Sequence, residues 1–308
     1  MDRGPVASFP PIPPNRHHLR TPPVDHEQLA APERRVSASA RSTLFSVLGE
    51  FVYADGRPVW TSSLLYALTG AGFSEEAARQ AIARGAAAGW ITGERRGRET
   101  RWSLSPSTTR MFDLGTERVF AFSGSPQPWD GRWLILVISI PHTHRAVRKR
   151  LYGSLHWAGL GNPAPGLWVT PHAERADEVE RAVEELGLSA FAMSAIGEAG
   201  QVGLGVDEIV RRAWDLEAVA ASYQELLQRF AAHEPADGDP AMIALLELTD
   251  AIRRLPFMDP QLPEELAPDW IGREATRRLR ELHDAWYGAA HARWREIVEG
   301  GTPARGSR

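Results

Sequence analysis

Six arginines stand between positions 79 and 101: Arg79, Arg84, Arg95, Arg96, Arg98 and Arg101. Glu94 and Glu99 are the only acids in that stretch, so it carries a local net of +4 inside a chain whose formal net charge is -4. A guanidinium is a planar fork of donors that matches phosphate and carboxylate oxygens, and concentrated positive charge is what contact with a phosphate backbone requires. A second cationic cluster, Arg145, Arg148, Lys149 and Arg150, lies near Trp157 and Trp168 in sequence. It could take the phosphates and acyl group of a coenzyme A thioester; a solvated helix face or an auxiliary nucleic-acid contact is the competing account. Lys149 is the only lysine, so arginine is this chain's default cation and no single one is a signal.

Other chemistry is thinly represented. There is no cysteine, which excludes disulfide scaffolds, thiolate nucleophiles, zinc fingers and iron-sulfur clusters, and fits a reducing cytoplasm. His142 and His144 share an extended segment without a nearby third ligand, as His17 and His18 do in the tail, so no metal site is predicted. No Gly-x-Ser-x-Gly elbow, P-loop or dinucleotide fingerprint occurs, so neither a catalytic residue nor a cofactor is expected.

The elements that would carry the first cluster are legible in the spacing. Residues 1–37 are proline-rich, with eight prolines among the first 32 positions, and should be disordered. From Ala38, Leu44, Phe45, Leu48 and Val52 recur at helical spacing until Ala54-Asp55-Gly56. A second helix spans Thr61–Leu68 with Thr61 as its N-cap, and a third spans Ser74–Ala88 with Ser74 as its cap. On a wheel, Ala78, Ile82, Gly85 and Gly89 face inward, while Glu76, Gln80, Ala83 and Ala87 face outward between Arg79 and Arg84. Such a face of short and polar side chains suits entry into a major groove. Trp90–Leu104 then reads as two short strands around a glycine turn, a β-hairpin wing whose tip is arginine-rich. Together these predict a winged helix-turn-helix over 38–122.

At 308 residues the chain can hold further domains. Arg132–Ile140 contains the longest apolar run, far short of the roughly 18 residues that span a bilayer, and reads as a buried strand. His144–Ala158 is a helix, Gly166–Thr170 a strand, Arg175–Leu186 an amphipathic helix and Leu188–Ile196 a third strand. That order predicts a ferredoxin-like α/β sandwich over 128–203. Val206–His233, Pro240–Leu255 and Gly272–Val298 form a helical domain over 204–300. The expected class is thus α+β multidomain. Trp214 and Leu216 should anchor the second domain to the third, whereas Trp286 and Trp294 could face a dimer partner or the core.

Five stretches in order resemble the PaaX-like repressors of phenylacetic acid catabolism. They are Ala40-Arg41-Ser42 through Gly49 with Val59-Trp60; Arg79–Arg84 with Gly89-Trp90 and Glu94–Arg98; Trp129–Trp133; Ala213–Leu216; and Pro256–Trp270. The resemblance implies a cytoplasmic homodimer that binds double-stranded operator DNA and is released by a small effector, an aromatic acyl-CoA such as phenylacetyl-CoA. By position it makes Arg79, Arg84 and the wing arginines the DNA-contacting set. Two departures stand out. Gly85 replaces a bulkier apolar residue and should soften the third helix by about 1 kcal/mol relative to Ala. Asp250 and Ile252 stand where the family often has a His and an aromatic residue, which puts the family effector in doubt. The middle domain also resembles the nuclease-type ferredoxin fold of CRISPR adaptation, yet Ser139-Ile140-Pro141-His142 lacks the carboxylate that a divalent metal needs. The rival from another class is an enzyme on an acyl-thioester or nucleic acid, with the winged helix as a docking module.

Overall fold

The computed structural model describes residues 39–119, 128–140 and 145–300. The N-terminal tail and both histidine pairs named above lie outside them. The architecture is mixed, with two small antiparallel sheets and a helical C-terminal part.

Helix α1 (Ala40–Val47) is capped by Ser39, whose hydroxyl accepts from the Ser42 N–H, and runs on as a π-helical turn, Leu48–Tyr53. Such turns are rare and often mark functional positions; this one carries the buried Glu50. Helix α2 (Thr61–Gly70) and helix α3 (Glu75–Ala87) follow. Ser74 caps α3 as its spacing predicts, accepting from Ala77 N–H at 3.2 Å. Thr61 does not cap α2. Its hydroxyl donates to the Thr100 carbonyl at 3.1 Å and accepts from Trp102 Nε1 at 2.9 Å, so it fastens the hairpin to the helix pair.

Strands β1 (Val59–Trp60), β2 (Ile91–Arg96) and β3 (Glu99–Leu104) form the first sheet in the order β1-β3-β2. The hairpin is closed by the Arg96–Glu99 pair, and Gly97 takes a φ of 63°, a conformation the two-residue connection needs and a side chain would strain. Helix α4 (Pro106–Val119) comes next. No helix is expected here from the sequence pattern, although Ser105 before Pro106 is a good start signal: its hydroxyl accepts from Thr108 N–H at 3.2 Å.

The second sheet holds β4 (Trp133–Ile138), β5 (Gly161–Ala164), β6 (Leu167–Thr170) and β7 (Ala192–Gly197), all neighbours antiparallel, in the order β5-β6-β4-β7. Strand β5 escaped the sequence reading because Gly161-Asn162-Pro163-Ala164 has no strand-like pattern; it forms where Gly161 lets Ala213 and Trp214 press on the backbone, 2.6 Å from where a Cβ would stand. Helices α5 (Arg145–Trp157) and α6 (Ala176–Glu185) cover one face through Leu151, Leu155, Val179 and Val183. Helix α7 (Val206–Ala213) covers part of the other, where Trp133, Val169, Ile209, Val210 and Leu262 form a core with Trp214 and Leu216 packed against it. Trp214 stacks on Trp133 with centroids 6.3 Å apart.

The stretch Val206–His233 is two helices, because Trp214 leaves helical geometry and Asp215 caps helix α8 (Leu216–Phe230) by accepting from Ala218 N–H at 3.0 Å. Helices α9 (Asp239–Ile252), α10 (Leu255–Met258) and α11 (Ile271–Gly300) complete the chain. The largest core is continuous across α1, α2, α3 and the hairpin base on one side and α8, α9 and α11 on the other. Trp286 and Trp294 belong to it, with Trp294 fully buried and stacked on Phe51 at 5.2 Å. No described helix is long and apolar enough to cross a membrane.

Gly85 is where helices α1 and α3 meet. A Cβ there would stand 3.0 Å from Leu44 Cδ2 and 3.3 Å from a Trp90 ring carbon. The glycine therefore permits a close approach, and the local softening expected from helix propensity is set against that packing. Gly85→Leu is expected to destabilise by about 1–3 kcal/mol through overpacking, measured as a lower denaturant midpoint at unchanged slope.

Candidate nucleic-acid interface

Helix α3 turns its small residues inward: Ala78, Ala81, Ile82 and Gly85 are buried. Ala81 takes the place that the wheel assigns to Gly89, which lies beyond the helix end at a φ of 73°. Glu76, Arg79, Gln80, Ala83 and Arg84 are all exposed, as their spacing predicts. Along that face Gln80 Nε2 donates to Glu76 Oε1 and Arg84 Nη1 to Gln80 Oε1, both at 3.4 Å, while Arg79 pairs with Glu75 at 2.6 Å. Exposed pairs one helical turn apart contribute only a few tenths of a kcal/mol, so these donors can be redirected to a partner at little cost.

The hairpin divides its arginines by register. Arg96 and Arg101 share a sheet face with Glu94 and Glu99, and Arg96 pairs with Glu94 at 2.8 Å. Arg98 sits in the exposed turn, and Arg95, also exposed, reaches the Gly97 carbonyl at 3.4 Å. Arg101 is half-buried at the base of the hairpin, with its guanidinium 5.6 Å from the Trp60 ring centroid. The structure thus gathers Arg95, Arg96 and Arg98 at the tip and sets Arg101 against the scaffold. Gly93 matters here, since a Cβ would stand 2.7 Å from the Trp102 ring.

The C-terminal helices hold this unit through polar ties that the sequence reading missed. Tyr66 of α2 donates to Asp239 at 2.7 Å, and Arg293 of α11 contacts both Asp239 and Tyr66 at 2.7 Å. Glu50 lies 3.1 Å from both His283 and His291 and accepts from the Thr249 hydroxyl at 2.7 Å. Burial raises the Glu50 carboxyl, but the hydrogen bonds from His283 and His291 outweigh it and hold it at about 2; burial lowers His283, and Glu50 more than restores it, so its net direction is upward. Asp250 of α9 binds Ser46 at 2.8 Å, Arg253 at 2.8 Å and Arg254 at 2.6 Å. One signal is present in the sequence: Asp250 is a charge two positions before the end of the mainly apolar stretch from Ala241 to Ile252, which also holds Glu247 and Thr249.

The middle sheet is joined to the helical part through the Pro-rich run. Asp259 is buried, accepting from Tyr223 at 2.8 Å, Trp270 Nε1 at 2.9 Å and Gln261 N–H at 2.7 Å; burial pushes its carboxyl up. Gln261 has a φ of 58°, the only positive value for a described non-glycine residue. Its side chain accepts from Arg175 at 2.7 Å and its carbonyl lies 2.9 Å from His172 Nε2.

The effector candidates are placed less coherently. Arg148, Lys149 and Arg150 lie on α5; Arg145 begins that helix, and its side chain is outside the described set. Trp168 is a core residue, 2% exposed, between Tyr152 at 4.8 Å and His156 at 5.3 Å. Trp157 turns instead to Phe257, with centroids 4.5 Å apart. Arg148 Nε and Trp168 Nε1 are buried without a hydrogen-bond partner among the described residues. Among the described residues no group of His, Asp and Glu could hold a metal ion.

Three family models match in chain order: the PaaX-like protein over residues 39–108, the PaaX protein central Cas2-like domain over 126–206, and the PaaX-like protein C-terminal domain over 214–296. The transcriptional repressor PaaX of Escherichia coli strain K12 is 31% identical over 293 residues, covering 88% of this chain and 89% of that one. A solved structure, the uncharacterized protein Rv0674 from Mycobacterium tuberculosis, superposes with a TM-score of 0.53 at 22% identity, covering 85% of this chain and all of that one, which supports the fold. By these matches the chain belongs to the PaaX-like family of transcriptional regulators.

Proposed function

We propose that the chain is a DNA-binding transcriptional repressor rather than an enzyme, in keeping with its family and with the repressor it is similar to. The observation that carries this reading is the juxtaposition of an exposed polar face on α3 with an arginine-tipped hairpin fastened to the same helix pair through Thr61. We read residues 38–122 as a winged helix-turn-helix, 128–203 as a ferredoxin-like domain and 204–300 as a helical domain. The β-α-β-β-α-β order around a fully antiparallel sheet supports the second of these.

In this reading α3 enters the major groove, with Glu76 and Gln80 near base edges, Ala83 on the same face, and Arg79, Arg84 and the hairpin-tip arginines Arg95, Arg96 and Arg98 on phosphates. A two-fold dimer would set two such helices on a pseudo-palindromic operator. A small anionic effector, an aromatic acyl-CoA such as phenylacetyl-CoA, would release it by binding one arrangement of the dimer better than the other. The basic run of α5 is the place to look for its phosphates.

The test is a gel shift on the intergenic DNA beside the chain's own gene, at two salt concentrations, with and without a panel of aromatic acyl-CoA thioesters. Saturable binding that weakens with salt and is released by one thioester is the expected result. Binding indifferent to the panel discards the effector, and no binding at either salt overturns the repressor.

A further inference from the structure

The buried charges of α9 lie on no phosphate-facing surface, yet they touch the element on which α3 packs. Asp250 is 7% exposed. Its Oδ1 accepts from Ser46 Oγ at 2.8 Å, Ser42 Oγ at 3.2 Å and Arg253 Nη2 at 2.8 Å, and its Oδ2 accepts from Arg254 at 2.6 Å. Arg253 in turn donates through Nε to Ser46 Oγ at 2.8 Å and through Nη2 to the Ser42 hydroxyl. A buried carboxylate is costly unless its partners are complete. Here they are, and half of them belong to α1.

The path continues towards the α3 surface through packed aromatic rings. The Arg253 guanidinium lies 5.7 Å from the Phe45 centroid, and Phe45 meets Trp90 edge-on at 5.1 Å. Trp90 directly precedes β2, its N–H donates to the Gly85 carbonyl of α3 at 2.9 Å, and its ring fills the space beside Gly85. The partly buried Arg41 of α1 sits 4.9 Å from the centroid of the same ring. Each link is a packed or hydrogen-bonded contact, so the angle of α1 against α9 is passed to α3 and the hairpin together.

We propose that Asp250 and Arg253 are positioning residues for DNA recognition: by clamping Ser42 and Ser46 they set the angle at which α3 and the hairpin meet the duplex. This rests on the repressor reading above. Phosphate contacts tolerate small rotations because long arginines follow the backbone, whereas base-edge contacts do not. Loosening the clamp therefore acts on specificity before it acts on general affinity.

The experiment compares the full chain with Asp250→Asn, which keeps the volume and removes the charge, and with the milder Ser46→Ala. Affinities for the intergenic DNA beside its own gene and for an unrelated duplex are measured well below each variant's Tm, with circular dichroism confirming the folded state. For Asp250→Asn the preference for the intergenic DNA is expected to fall about ten-fold, within the range of such indirect couplings, with a smaller fall for Ser46→Ala and little change on the unrelated duplex. A variant whose Tm drops while the preference stays at the wild-type value overturns the positioning role and leaves the repressor standing. A wild-type chain without any preference overturns the repressor reading, and this proposal with it.

Discussion

Replacing Arg95, Arg96 and Arg98 together by alanine is expected to weaken operator binding roughly a hundred-fold, at about 1 kcal/mol for each lost phosphate contact, with no loss of fold. All three are exposed, and the ion pair they give up, Arg96 with Glu94, is a surface pair of small energetic value. The diagnostic quantity is the salt dependence. Each phosphate neutralised contributes close to one unit to the slope of log affinity against log salt, so the triple variant should show a slope shallower by about 2 to 3. Equilibrium binding at four or five salt concentrations measures both. An unchanged slope would remove the hairpin from the phosphate-contacting set. Arg101→Ala should behave differently, since that guanidinium lies over Trp60 at the base of the hairpin; its loss acts through packing and leaves the slope nearly as it was.

The second large effect concerns stability and pH. The Glu50 carboxyl is held at about 2 in the fold, against an ordinary value of 4.5, because hydrogen bonds from two histidines outweigh the opposing effect of burial. A carboxylate depressed in this way stabilises the fold above its unfolded value, and the contribution is lost as pH falls from about 4.5 towards 2; the shift corresponds to about 3 kcal/mol. His283 moves the other way. Its raised folded value means a contribution present in full below about 6.5 and lost as pH rises through the folded value. The tie between the π-helical turn and α11 is thus strongest in mildly acidic solution and declines on both sides. Glu50→Ala leaves two histidines and Thr249 facing an empty acceptor site and should cost about 3–5 kcal/mol near pH 5.5. Glu50→Gln, which keeps the acceptor oxygen but not the charge, should cost less and flatten the acid limb. Chemical denaturation from pH 3 to 8 measures both variants. A wild-type acid limb retained in Glu50→Gln would assign that limb to other carboxylates.

These two effects come from opposite ends of what local pattern can reveal. The outward face of α3, its Ser74 cap and the arginine-rich hairpin were legible because each depends on residues within a turn or a strand of one another. The same locality explains Thr61, whose type suits a cap but whose hydroxyl is claimed by Thr100 and Trp102, some forty positions away. It explains strand β5 as well, a segment with no strand pattern that is made a strand by its neighbours in the sheet. Helix α4 is hidden for a different reason: its start signal, Ser105-Pro106, directly follows the last residue of a strand, where the same residue types also end an element.

By itself the sequence determined the membership of the chain, the order of most of its elements and the exposed cations of α3 and the hairpin tip, because composition, helical and strand periodicity and five short stretches in order suffice for those. Only the tertiary structure decided which polar residues meet. Glu50 is more than two hundred positions from the histidines that hold it, Asp250 from the serines it clamps, and Gln261 more than eighty from Arg175. A buried charge is tolerable only where its partners converge from several elements, and that convergence is a property of packing, to which no local spacing in the chain gives access.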